Sequence, residues 1–155
     1  MPENTSAAAA AQDAESVAPP TLFLNGRFEL HSGEVSFFKI DCDALTDRDI
    51  QCLAMMIAQR VPPFGTVEGV PTGGTRLADA LRVYARPGPL RRGSFGAKEL
   101  LIVDDVWTTG ASMENQRGSR DAIGAVIFAR RQPASWVTPL FTLDAEHSDG
   151  KGTPQ

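Results

Sequence analysis

Residues 100 to 113, LLIVDDVWTTGASM, set two adjacent carboxylates, Asp104 and Asp105, between an apolar run and the small residues Thr108, Thr109, Gly110, Ala111 and Ser112. Carboxylates at the end of a buried strand lose solvation and repel each other, so they need hydroxyl donors or a metal. Small residues opening a helix attract anions instead. The first backbone N–H groups have no partner within the helix and carry the positive end of its dipole. Thr108, Thr109 and Ser112 add hydroxyls, and Gly110 allows a tight wrap that a Cβ would obstruct. A ligand that satisfies both halves carries hydroxyls and a phosphate close together, as ribose 5-phosphate does. A plain N-cap explains the small residues alone, and an acidic pocket of the response-regulator kind explains the aspartates alone. Neither explains both.

A second loop, VPTGGT at 70 to 75, brings Pro71, Thr72, Gly73 and Gly74 together after another short apolar run. It reads either as exposed amides suited to an anion or as a simple glycine turn. Arg76 follows it, placed to neutralise a diphosphate or to be solvated on a helix.

The elements that must position these loops follow from periodicity. Asn25-Gly26 between short apolar runs is a hairpin signal, and FELHSGEVSFFKID continues as strand, turn at Ser32-Gly33, and strand. Thr46 precedes Asp49 by three, a capping pattern, and Ile50, Leu53, Ala54, Ile57 and Val61 recur at helical spacing until Pro62-Pro63. A short strand GTVEGVP, a helix marked by Leu77, Ala78, Leu81 and Tyr84, and a Pro/Gly/Arg loop come next. The strand LLIVDDV, a short helix from about Ala111 to Arg117, the strand AIGAVIFARR and a last strand WVTPLFTL complete the order. Strands alternating with helices, with all-apolar strand runs, predict an α/β fold with a parallel sheet covered on both faces. Ligands of such sheets sit at the carboxyl ends of the strands, where both glycine-bearing loops fall.

Composition bounds the rest. The chain has 155 residues, 42% hydrophobic and 22% charged, which suits one domain with a real core. The Ala/Pro/Ser-rich residues 1–20 and the polar residues 144–155 read as disordered tails, leaving 21–143 as the folded domain. A net charge of -4 argues against a general nucleic-acid binder. Between Arg76 and Arg131, however, ten basic residues face six acidic ones, a local +4 suited to a small polyanion. Cys42 and Cys52 have neither disulfide-framework nor zinc spacing, so a reducing cytoplasm is the expected setting and no protein-held metal is indicated. No signal peptide is expected, and no apolar run approaches the ~20 residues of a membrane span.

LLIVDDVWTTGAS resembles the phosphoribosyl pyrophosphate signature of type I phosphoribosyltransferases. FELHSGEVSFFKID is similar to the β hood of the orotate branch, and the resemblance runs over about residues 23–131. It implies the type I phosphoribosyltransferase fold, with a small N-terminal β hood on a parallel sheet. It also implies transfer of 5-phosphoribosyl from phosphoribosyl pyrophosphate to a nucleobase, an orotate-like pyrimidine first, in nucleotide metabolism. Asp104 and Asp105 would hold the ribose hydroxyls and Thr108 through Ser112 the 5-phosphate, with Val106 and Trp107 also in the substrate site. Pro71, Thr72, Gly73, Gly74 and Arg76 would receive the pyrophosphate, with Arg86 as a catalytic cation. His31, Phe37, Phe38 and Lys39 would lie at the acceptor. Mg²⁺ carried by the substrate and a homodimer are implied as well; a non-catalytic phosphoribosyl-binding protein is the alternative.

The chain departs from the family pattern at the acceptor end. His31 stands where a lysine is usual, Lys39 and Ile40 align with two aromatic positions, and Thr72 and Gly73 replace a lysine-bearing stretch. The catalytic loop is short, retaining Arg86, Arg91, Arg92 and Lys98. Trp136 stands where it would either stack on a base, as in the purine branch, or fill the core.

Overall fold

The computed structural model describes residues 20–30, 33, 35–86 and 98–143. The expected tails, apart from Pro20, and His31, Ser32, Arg91 and Arg92 lie outside the described residues. The elements are β1 (Phe23–Glu29), β2 (Val35–Ile40), α1 (Asp47–Arg60), β3 (Phe64–Gly69), α2 (Thr75–Leu81), β4 (Lys98–Trp107), α3 (Ala111–Arg117), β5 (Ala122–Ala129) and β6 (Val137–Thr142). Strands β3, β4, β5 and β6 form a parallel sheet in that order, while β1 and β2 pair antiparallel as a separate two-stranded hood.

Helix α1 begins where the capping pattern places it. Thr46 Oγ1 accepts from Asp49 N–H at 3.2 Å, and Asp49 Oδ2 accepts from Thr46 N–H at 2.9 Å. The Thr46 hydroxyl also donates to Asp49 Oδ2 at 2.6 Å, and this bond, then the one from Thr46 N–H, holds the Asp49 carboxyl below its usual value. Ile50, Leu53, Ala54 and Ile57 are buried at helical spacing, and Val61 turns extended ahead of Pro62. The second helix is shorter than expected. It stops at Leu81 and tightens into a 3-10 turn over Arg82–Tyr84, which leaves Tyr84 exposed.

Asn25-Gly26 is not a hairpin turn. Both residues lie within β1, where the register against β2 slips by one residue between Asn25 and Phe28, a bulge. The chain reverses one step later, with Gly33 at φ 80° donating its N–H to the Leu30 carbonyl at 2.8 Å. Hairpin chemistry at Gly26 was read locally, whereas pairing with β2 extends through it.

The sheet is buried on both faces. Leu101, Val103, Ala125 and Ile127 join α1 and α2 in one core, and Leu100, Ile102, Val126 and Met113 of α3 form the other. On the α1 side, the core opens into an apolar groove of about 480 Å³ bordered by Leu22, Phe23, Leu53, Phe128, Phe141 and Leu143. No helix among the described residues is long and apolar enough to cross a membrane. Ile57 is 1% exposed and Met55 44%, so the helical phase of α1 has a direct consequence. Ile57→Ala should lower the unfolding free energy by roughly 2–5 kcal/mol, and Met55→Ala by no more than about 0.5 kcal/mol, in urea melts; equal losses would contradict the phase.

Candidate functional site

Strand alternation separates the two acids. Leu101 and Val103 face the α1–α2 core and Leu100 and Ile102 the α3 core, so Asp105 continues the first face and Asp104 the second. Asp104, 8% exposed, lines a small concavity with Thr108, Thr109, Gly110, Ala111 and Ser112. Asp105 borders the other loop, since a Cβ on Gly73 would stand 2.5 Å from its carboxylate. Each acid therefore serves as the wall of a different loop, and a ligand touching both must lie across the end of β4.

The pair is held by backbone donors. Asp104 Oδ1 accepts from Asp105 N–H at 2.9 Å, and Asp105 Oδ1 accepts from Val106 N–H at 2.7 Å. Burial, then repulsion from Asp105, pushes Asp104 up to about 7. Cys42, half-buried just after the hood, is pushed up to about 12, first by burial and then by the Asp105 charge. It is a protonated thiol at neutral pH, so Asp105 faces a neutral group there.

The loop at 71–74 lies directly on β4. Val70 N–H donates to the Val103 carbonyl at 2.8 Å and Gly74 N–H to the Val70 carbonyl at 2.8 Å. A Cβ on Gly74 would collide with the Val103 carbonyl, so only glycine permits this approach. Pro71, Thr72 and Gly73 are exposed, and the Pro71–Thr72 peptide is cis. Arg76 does not join them. Its guanidinium donates to the Leu45 carbonyl at 2.8 Å and to Asp47 Oδ1 at 2.9 Å, bracing the amino end of α1.

In the loop at 108–112, Gly110 adopts φ 84°, and a Cβ there would run into the Trp107 indole. Glycine is thus required by its own conformation and by the ring beneath it, independently of any ligand. Trp107 is buried in the α3 core and Val106 packs against the other. Trp107 is the floor of the loop, and the surfaces left for a ligand belong to Thr108, Thr109, Ala111 and Ser112. With only seven residues, α3 adds little dipole, so the loop's own amides and hydroxyls carry any anion affinity.

The hood presents alternate residues to the sheet. Ser36, Phe38 and Ile40 face inward, whereas Phe37, 77% exposed, and Lys39 face outward. The period of a strand puts Phe37 and Lys39 on the opposite face from Phe38. Phe38 lies under Arg130, whose Cζ is 4.4 Å from the ring centroid.

The backbones of Arg86 and Lys98 lie at the amino ends of β3 and β4. Arg86 N–H donates to the Phe64 carbonyl at 2.9 Å and Lys98 N–H to the Pro63 carbonyl at 3.1 Å, at the amino ends of β3 and β4. Asp104 lies six residues along β4, about 20 Å away at strand rise. Lys98 Nζ is paired with Asp121 at 2.6 Å. Trp136 is likewise committed to packing: its Nε1–H donates to Glu114 Oε1 at 2.8 Å and Arg117 covers its ring at 4.4 Å, locking it against α3 rather than over a base. The residue that sequence reading missed is Arg130, which follows an apolar strand at its carboxyl end; a cation at that position was the available signal.

No family model and no curated protein matches the chain. Among solved structures it is similar to orotate phosphoribosyltransferase from Aeropyrum pernix, with 25% identity, a TM-score of 0.56, and 78% of this chain and 88% of that one covered. It is also similar to Leishmania donovani UMP synthase, with 16% identity and a TM-score of 0.58, over 79% of this chain and 34% of that one. Orotate phosphoribosyltransferase from Mycobacterium tuberculosis H37Rv matches with 16% identity and a TM-score of 0.50, over 78% and 89% of the two chains.

The buried acid gives the site a pH signature. The Asp104 pKa is raised on folding from 3.8 to about 7, so the folded state binds the extra proton between those values. The stability this contributes is full below about pH 4 and lost as pH rises through 7. Asp104→Asn should therefore melt higher than the unaltered chain at pH 8 and alike at pH 4, and an equal difference at both pH values would contradict the burial argument.

Proposed function

Because the chain has the type I phosphoribosyltransferase fold, we propose that it binds phosphoribosyl pyrophosphate and transfers the 5-phosphoribosyl group to a nucleobase, releasing pyrophosphate. The observation that carries this reading is the pairing of each acid with its own loop at the end of β4. Asp104 sits beside the residues 108–112 and Asp105 beside Gly73. A phosphoribosyl group laid across that strand end would put its 5-phosphate on Thr108, Thr109, Ala111 and Ser112, its hydroxyls on the acids, and its pyrophosphate toward Pro71, Thr72 and Gly73. Displacement at the anomeric carbon builds positive charge on the sugar and negative charge on the leaving group. Two carboxylates near the sugar and exposed amides near the pyrophosphate stabilise those charges where they develop.

Magnesium fits this donor set. Two carboxylates flank the strand end, no cluster of three ligating side chains occurs among the described residues, and Mg²⁺ is characteristically held by one or two carboxylates together with substrate phosphates and water. When bound, it would neutralise pyrophosphate charge, with Asp104 and Asp105 as the carboxylates in reach. An orotate-like pyrimidine is the acceptor favoured by the likeness to the Aeropyrum pernix enzyme. A homodimer and a cytoplasmic setting belong to the same reading.

A second reading, binding without efficient transfer, is favoured by the placement of Arg86 and Lys98 at the far end of the sheet. Pyrophosphate release from phosphoribosyl pyrophosphate and Mg²⁺ across a panel of bases separates the two. Release with a pyrimidine supports transfer. Tight binding with no release supports the second reading, and no binding at all contradicts both.

A further inference from the structure

We propose that Arg130 is a positioning residue that sets the hood on the carboxyl end of the sheet and so fixes the acceptor side of the site. The β1–β2 pair is separate from the main sheet, and a lone pair of strands is marginal in water. Apolar packing, including Phe23 edge-on to Phe128 at 5.9 Å between centroids, holds it without direction. Among the described residues, the Arg130 guanidinium adds direction. Arg130 Nη1 donates to Ser36 Oγ at 2.9 Å, Nη2 donates to the Phe38 carbonyl at 2.8 Å, and the plane covers the Phe38 ring. Ser36 Oγ also donates to that carbonyl at 2.7 Å and accepts from Phe38 N–H at 3.3 Å, so the three residues form a closed network.

The same residue is fixed from the other side. Its backbone N–H donates to the Trp107 carbonyl at 3.0 Å, and the Trp107 ring lies under Gly110. Arg130 therefore ties the hood to the strand end on which the loop at 108–112 rests. A lysine cannot replace it, because only a planar fork serves two acceptors and a ring face together. One face of Phe38 is consumed by this contact, so an acceptor base meets the hood beside the Arg130–Phe38 couple rather than in place of it.

The clamp stands independently of the transferase reading; its consequence for the base rests on it. Hydrogen exchange of the full chain, with Arg130→Ala and Arg130→Lys, reads the clamp without any ligand. The amides of residues 35–40 should exchange about tenfold faster in Arg130→Ala, as loss of charge-assisted bonds implies. Those of residues 100–103 should be unchanged, and Arg130→Lys should not restore protection. Unchanged exchange at 35–40, equal loss at 100–103, or full rescue by lysine would each overturn the clamp. Ribose 5-phosphate affinity should stay within about twofold in both variants, and in turnover the KM for base should rise while that for phosphoribosyl pyrophosphate holds. A KM for base that does not move overturns the acceptor half. Failure of the unaltered chain to bind ribose 5-phosphate sinks the transferase reading and leaves the exchange result to decide the clamp.

Discussion

The structure depends on keeping a pair of acids at the end of a strand that is buried on both faces. Alternation along β4 sends Leu101 and Val103 one way and Leu100 and Ile102 the other, and the same alternation parts Asp104 from Asp105. Two carboxylates on one face would meet the full cost of mutual repulsion. On opposite faces each finds its own backbone donor, and the remaining conflict appears as the raised proton affinity of Asp104. Such a pair is a reservoir of unfavourable energy that a ligand with hydroxyls or a cation would relieve.

Both loops and the hood are arranged around that strand end by close approach. The turn at 71–74 is pressed onto the Val103 carbonyl through Gly74, and the turn at 108–112 rests on Trp107 through Gly110. Arg130 extends the same scheme to the hood. Remote ties keep the helices behind these loops in place: Arg76 joins α2 to Asp47, and Arg120 grips Glu68 on β3 from beyond α3. These two cations are thus spent on architecture.

Much of the fold was legible because it is set by local rules. The capping box at Thr46, the helical spacing of Ile50 to Ile57, the apolar run of β4 and the short α3 at Ala111–Arg117 all appear where the residue pattern puts them. The acids and both glycine loops were legible for the same reason. What was not legible depends on pairing at long range. Asn25-Gly26 looks like a turn until β2 pairs through it, and Phe37 and Phe38 look equivalent until the strand assigns them to opposite faces. The backbone of Arg86 is tied to Phe64 at the amino end of β3, a contact no local pattern announces. Arg130 gains its meaning only from Ser36 and Phe38, more than ninety residues away.

The central claim is that one ligand spans the end of β4, its phosphate on the residues 108–112 and its hydroxyls on the two acids. A crystal structure of the chain soaked with ribose 5-phosphate tests this most directly. The account predicts the phosphoryl group against Thr108, Thr109, Ala111 and Ser112, with the sugar hydroxyls within hydrogen-bonding distance of Asp104 or Asp105. Sugar phosphate bound elsewhere, or a strand end that stays empty at saturating ligand, would contradict it.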